Sequence, residues 1–166
     1  MATTTSPARL KRAPAPRAES KTTSVSTITA GPAGAAGLLR LRTRTAGGLR
    51  DAVRKGLPFS ALEAVIASLQ LTLLEAGPIL AIPLRTIARR KESGQLAPEE
   101  SDRLYRLART AAQAVEVLGD LDRARIWLKT PNRALGGEQP LGLLDTDIGA
   151  RQVEEVLMRV NYGVFS

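Results

Sequence analysis

The sequence predicts an all-α protein, and three observations carry that prediction. Hydrophobic residues make up 43% of the chain but aromatics only 3%. Leu and Ala therefore supply most of the apolar surface, whereas strands draw on Val, Ile, Thr and aromatics. From Leu57 onward, apolar residues recur at helical spacings of three and four. Proline and glycine stand at the starts and ends of these stretches, where helices accept them. A length of 166 residues allows one or two small domains.

Residues 1–46 are rich in Thr, Ser, Pro, Ala, Gly and Arg and lack a sustained apolar period, so they read as a disordered basic leader. This segment holds eight basic residues and one acid, Glu19, whereas residues 47–166 hold sixteen basic and fifteen acidic residues. Most of the net charge of +8 is thus in the leader. Two readings stay open for it: a solvated tail, or a basic arm that adds non-specific attraction to nucleic acid. A transit peptide shares the composition and ranks below both.

The stretch "LPFSALEAVIASLQ" places Leu62, Val65, Ile66 and Leu69 on one helical face, with Pro58 near the first turn. In "LTLLEAGPIL", Thr72 is the expected N-cap. Gly77-Pro78 is expected to interrupt or kink that helix, because proline lacks the amide hydrogen and clashes with the preceding turn. In "AIPLRTIARRKESG", Pro83 opens a helix, Leu84, Ile87 and Ala88 form its inward side, and Gly94 stops it. The strongest helix is "LAPEESDRLYRLARTAAQAVEVLGD". Pro98 opens it, acids occupy its first turn, and Leu104, Leu107, Ala108, Ala111, Val115 and Leu118 form a stripe up to Gly119. "DLDRARIWLKT" follows, capped by Asp120 and anchored by Trp127 and Leu128. The punctuated stretch "TPNRALGGEQPLGLLDT" predicts short turns of helix, starting at Thr130-Pro131 and at Pro140. The last helix is expected from Asp147 to Val160, capped by Thr146, with Ile148, Val153, Val156, Leu157 and Val160 inward. On its outer side, Arg151, Glu155 and Arg159 form a charged ladder.

The composition also excludes chemistry. Without cysteine or histidine there are no disulfides, no Ser-His or Cys-His nucleophiles and none of the common zinc sites. No run of about 18 apolar residues predicts a transmembrane helix, and the first residues lack the apolar core of a secretory signal. The acids of "EESDR" are explained by the positive end of a helix, and Gly136-Gly137 lacks the frame of a phosphate loop. The chain is expected to be a non-enzymatic, cytoplasmic protein without metal or cofactor, and without a membrane partner.

Two features instead point to binding. A short helix, a tight turn and a second short helix with a basic outward face, at about 71–91, have the geometry of a helix-turn-helix. Arg85, Thr86, Arg89, Arg90 and Lys91 would then meet base edges and phosphates. At the C-terminus, Tyr162, Val164 and Phe165 have little chain behind which to hide, and terminal aromatics serve well as anchors on a partner.

Four ordered motifs sharpen this reading. They are "RTIARR", "SDRLYRLAR", "WLKTPNRALGGEQP" and "LLDTDIGA". Over roughly residues 50–164 the sequence resembles the Xre/MbcA/ParS-like antitoxin family. The resemblance implies a bacterial type II antitoxin whose Xre-type helix-turn-helix domain, 47–108, binds the operon's own promoter. It implies a toxin-binding domain, 109–166, that covers the NAD-binding cleft of a RES-domain toxin of ADP-ribosyltransferase-like or NAD-degrading activity. It also implies a homodimer. Arg85, Thr86, Arg89, Arg90 and Lys91 match the recognition helix. Trp127, Pro131, Asn132, Leu135, Gly136, Pro140, Leu144, Thr146 and Gly149 match the toxin-binding signature, some of them as architecture. Direct toxin contact is assigned to Arg151, Glu154 and Met158 on the outer face of the last helix, and to the tail Asn161, Tyr162, Gly163, Val164 and Phe165. The alternative is a stand-alone helix-turn-helix regulator whose C-terminal part only dimerises.

Overall fold

The computed structural model describes residues 31–163. Among them the chain forms eight α-helices: α1 (Pro32–Leu38), α2 (Ala46–Lys55), α3 (Phe59–Leu69), α4 (Leu73–Leu80), α5 (Leu84–Ser93), α6 (Pro98–Leu118), α7 (Leu121–Lys129) and α8 (Asp147–Asn161). Two 3-10 turns, Arg133–Leu135 and Pro140–Asp145, link α7 to α8. The expected helical fold is therefore the observed one.

Helix α6 is the axis. Its 21 residues span about 30 Å at 1.5 Å per residue, and α1, α2, α4, α7 and α8 all pack on it. The predicted stripe is buried up to Val115, and so are Ser101, Thr110, Ala112 and Ala114. Burial on several sides exceeds a single stripe because neighbours surround the helix. The alanines at 108, 111, 112 and 114 are fully buried and let those neighbours approach closely. No single helix among the described residues is long and apolar enough to cross a membrane; α3 and α4 are so only as a pair, bent by 119°.

The expectation of a disordered leader over 1–46 is corrected in its last part; residues 1–30 lie outside the described residues. Pro32 opens α1, and Ala35, Ala36, Leu38 and Leu39 are buried against α6 and α3. The segment looks compositionally simple because glycine and alanine do its packing. Helix α2, also unforeseen, is capped by Thr45, whose Oγ1 accepts from the Gly48 amide at 3.2 Å.

Local chemistry sets the other ends. Thr72 and Glu75 form a reciprocal capping box at α4: the Thr72 amide donates to Glu75 Oε2 at 2.7 Å and the Glu75 amide to Thr72 Oγ1 at 3.2 Å. The Thr72 bonds to the Glu75 carboxylate, the backbone one first, hold that carboxyl below the ordinary glutamate range. Helix α4 does not break at Gly77-Pro78. It runs through Pro78 to Leu80 and is capped by Ala81, in the left-handed region at φ 49°. The turn closes with the Ala81 and Ile82 amides donating to the carbonyls of Pro78 and Gly77. Asp120 and Thr146 cap α7 and α8 as predicted, accepting from the Arg123 and Gly149 amides at 2.7 and 3.1 Å. In the punctuated stretch, Asn132 rather than Thr130 caps the first 3-10 turn, accepting from the Ala134 amide at 2.9 Å.

Candidate functional site

Helix α5 is the one expected to be the second helix of the helix-turn-helix, and the structure divides its five predicted DNA contacts. Arg85 and Arg89 are exposed and one turn apart on the outward stripe, together with Ala88 and Glu92. Thr86 is half-buried, and exposed Lys91 lies on the flank above buried Ile87. Arg90 turns inward instead. Its Nε donates to both carboxylate oxygens of Glu100, at 3.1 and 2.8 Å, with side chains 25% and 11% exposed. Glu100 also accepts from the Ala97 amide at 2.7 Å. One carboxylate thus starts α6 and pins α5 to it. The expected inward side is corrected too: only Ile87 is buried. Ala88 is exposed, and Leu84 is 50% exposed beside Leu73 and Leu74 along a shallow apolar groove of ≈ 380 Å³. A helix that follows a tight turn has only one face against the core.

Helix α8 carries the second surface. Gly149, Ala150, Val153, Val156 and Leu157 are buried against α6 and the second 3-10 turn. Gly149 is where the helix crosses that turn; a Cβ there would lie 2.0 Å from the Leu143 carbonyl oxygen, so only glycine fits. The opposite stripe is Ile148, Arg151, Gln152, Glu155, Met158, Arg159 and Tyr162, all exposed. Ile148 was expected inward and is 75% exposed. It lies half a turn away from the inward set, which begins with the small residues Gly149 and Ala150. Met158 and Tyr162 are 49% and 76% exposed, and with Glu155 and Arg159 they line an open apolar pocket of ≈ 340 Å³. A more polar groove of ≈ 410 Å³ separates the other edge of α8 from the first 3-10 turn, between Leu135, Glu138, Gln152 and Arg159.

Glu154 does not share this outer face. Its Oε1 accepts from Arg109 Nε and Nη2 at 3.0 and 2.8 Å and from Thr110 Oγ1 at 3.1 Å, a charge-assisted tie between α8 and α6. Its partners lie more than forty residues earlier in the chain, beyond what charge and helical period reveal. Arg151 is outward, and pairs with Asp147 at 2.9 Å rather than with Glu155. Both side chains of that pair are exposed, and such pairs hold by only about 0–1 kcal/mol, so the guanidinium is available to a binding partner. Asn161 and Gly163 are exposed at the end of α8. Val164 and Phe165 lie outside the described residues.

The signature residues are largely architectural. Pro140, Leu144 and Gly149 are buried; Trp127, Asn132 and Leu135 are half-buried; Pro131, Gly136 and Thr146 are exposed. Gly136 closes the first 3-10 turn at φ 70°. Among the described residues, no three His, Cys, Asp or Glu side chains converge as metal ligands would.

The comparison with known proteins matches this geometry. Residues 48–109 match the Antitoxin Xre-like helix-turn-helix domain, and residues 113–163 match the Antitoxin Xre/MbcA/ParS C-terminal toxin-binding domain. An Antitoxin Xre of Yersinia enterocolitica is 32% identical over 120 residues, covering 71% of this chain and 81% of its own. The chain belongs to the Xre/MbcA/ParS antitoxin family. A second Antitoxin Xre, from Pseudomonas putida, is 42% identical to this antitoxin over 83 residues, covering 49% of this chain and 52% of its own. The Prs ADP-ribosylating antitoxin of a Sphingobium species is 31% identical over 124 residues, covering 69% and 78%. A chain of the crystal structure of the M. tuberculosis MbcT-MbcA toxin-antitoxin complex superposes with TM-score 0.50 and 31% identity, covering 65% of this chain and 96% of that one. The molecule is thus an antitoxin of a toxin–antitoxin system.

Proposed function

We propose that this antitoxin neutralises a RES-domain toxin by laying the outer stripe of α8 and the tail from Asn161 over the toxin's NAD-binding cleft. The observation that carries this reading is the stripe itself. Ile148, Met158 and Tyr162 remain largely exposed on a helix whose other face is fully packed. Large apolar side chains bordered by charge mark a surface that meets a partner. The match of residues 113–163 to a toxin-binding domain supports the assignment. The name of the Sphingobium relative, which speaks of ADP-ribosylation, supports an NAD-using toxin. Occlusion needs no nucleophile or base, so the antitoxin itself works without catalysis or cofactor.

In the same reading, the part before α6 represses the operon through α5. Arg85 and Arg89 face base edges, Thr86 and Lys91 act on the flanks, and Arg90 holds the helix in place. The division into a DNA-facing part, 47–108, and a toxin-facing part, 109–166, belongs to this proposal. So do a homodimer, which doubles the DNA contact, and a cytoplasmic setting, where operator and NAD are both found.

The test is co-expression with the product of the adjacent reading frame. Replacing Met158 and Tyr162 by Ala should abolish rescue of growth and lower the yield of copurified complex at least tenfold, with helix content unchanged by circular dichroism. Full rescue by the double variant would overturn the outer stripe of α8 as the toxin-binding surface, and a neighbouring product without a RES domain would overturn the toxin class.

A further inference from the structure

We infer that the α1–α2 loop and the outer face of α2 form a phosphate-backbone site flanking the groove that α5 enters. This deepens the DNA-binding reading above and rests on it for its location.

The first observation is charge. Arg40, Arg42 and Arg44 are exposed on the loop before α2, and Arg50, Arg54 and Lys55 are exposed along α2. Leu49 is buried and Ala52 and Val53 are half-buried on the helix's other side, so the cations project away from the core. One acid, Asp51, stands among them, 3.9 Å from Arg50 with both side chains more than half exposed. Among the described residues, Arg40, Arg42, Arg44, Arg54 and Lys55 make no ion pair. The fold has paired many of its other cations, including Arg90, Arg106, Arg109 and Arg125. A cluster left unpaired amid such pairing is a surface kept for an anion.

The second observation is where α2 ends. Gln95 lies one residue beyond Gly94, the C-cap of α5, and its Nε2 donates to the carbonyls of Lys55 and Gly56 at 2.7 and 3.2 Å. The Phe59 amide donates to the Gly94 carbonyl at 2.8 Å and the Leu96 amide to the Leu57 carbonyl at 2.9 Å. At Gly56, φ is 93° and a Cβ would lie 2.3 Å from the Leu96 carbonyl oxygen, so the two backbones are locked at closest approach. The carboxyl ends of α2 and α5 therefore meet in one rigid junction, with Arg54 and Lys55 in the last turn of one helix and Lys91 in the last turn of the other.

Dimensions point to a duplex. The ten residues of α2 extend about 15 Å, and a DNA strand carries one phosphate per about 3.4 Å of axis. The cations of α2, from Arg50 to Lys55, occupy about half of that length, and beside the recognition helix they span about two phosphates of one strand. Such contacts fix register and add affinity without reading sequence. The loop and α2 thus supply attraction and α5 supplies choice.

The experiment uses the full-length antitoxin and two labelled duplexes of equal length: the region upstream of its own operon, and a shuffled sequence. Binding is measured across a salt series. The double variant Arg50→Ala/Arg54→Ala should weaken binding to both duplexes by the same factor, at least fivefold. It should flatten the salt dependence by about 2 units of slope, at about 0.9 for each phosphate no longer neutralised. Arg54→Glu should do more, and Arg85→Ala/Arg89→Ala should instead erase the preference for the upstream duplex. Rescue of growth against the toxin confirms that the exposed-site variants are folded. Unchanged affinity and slope in Arg50→Ala/Arg54→Ala would overturn the inference, and so would a loss confined to the upstream duplex. Wild-type binding without preference would overturn the operator reading alone, leaving the backbone site to be judged on the common slope. Absence of wild-type binding to either duplex would overturn both.

Discussion

Helices α5 and α8 present similar outsides and rest on different insides. Each shows solvent a stripe of charged residues, and each is tied to α6 by an arginine–glutamate pair, Arg90–Glu100 for one and Arg109–Glu154 for the other. Yet α8 buries five residues and α5 only Ile87. Apolar burial holds α8, whereas polar bonds at its C-terminal end, from Arg90 to Glu100 and from the Phe59 amide to the Gly94 carbonyl, hold α5. A partner helix that must insert an anchor into a protein cleft gains from a stiff base. A helix that docks in a groove of fixed shape is adequately aimed by a few directional bonds, at the cost of depending on each of them.

The sharpest test of that difference is Leu157→Ala. Leu157 is fully buried on α8, and such truncations cost about 3 kcal/mol through lost transfer energy and the residual cavity. A thermal melt should show a markedly lower midpoint, and neutralisation of the toxin should fail at temperatures the parent tolerates. A midpoint within a degree of the parent would mean that the Arg109–Glu154 tie, not the core, carries α8.

On the α5 side the corresponding substitution is Glu100→Gln. It keeps the shape but removes the charge that receives Arg90 Nε and the Ala97 amide, a loss of about 2 kcal/mol for hydrogen bonds to a charged group. Denaturant titration should register that loss. Affinity for the upstream duplex should fall by more than any fall in toxin binding. The reverse order would erase the contrast between the two helices.

Much of this was readable from the sequence, and the failures share causes. Caps were legible because they are local: Thr72, Asp120 and Thr146 each act within three residues. The long α6 was legible because proline, acids and a regular stripe agree. Helix α1 was not, because Ala35 and Ala36 gain packing value only against the alanine face of α6, far along the chain. Arg90 and Glu154 were read as outward because charge is visible in a sequence and its partner is not. Glu100 lies 10 residues from Arg90, and Arg109 lies 45 from Glu154. Ile148 was misplaced because helix α8 begins its inward face with Gly149 and Ala150, too small to announce a face.

The smallest effect concerns the helix that precedes α5. Thr72→Ala removes a cap worth about 1 kcal/mol, and α4 is the scaffold on which the α5 turn is built. The Thr72 hydroxyl also donates to Glu75 Oε2 at 2.9 Å, which, after the backbone bond, helps hold the Glu75 carboxyl below its ordinary range. A group whose folded pKa lies below its unfolded value contributes stability above the unfolded value. That contribution is lost as pH falls through the folded one. The variant lacks the hydroxyl's share of this effect, so the stability gap between parent and variant should be widest near neutrality. It should narrow as Glu75 takes up its proton in acid. Denaturant titrations at about pH 7 and about pH 3 measure the gap directly, with every other carboxylate cancelling between the two proteins. An equal gap at both values would show that the hydroxyl serves the Glu75 amide alone, and that the carboxylate is held at α4 by the Thr72 backbone.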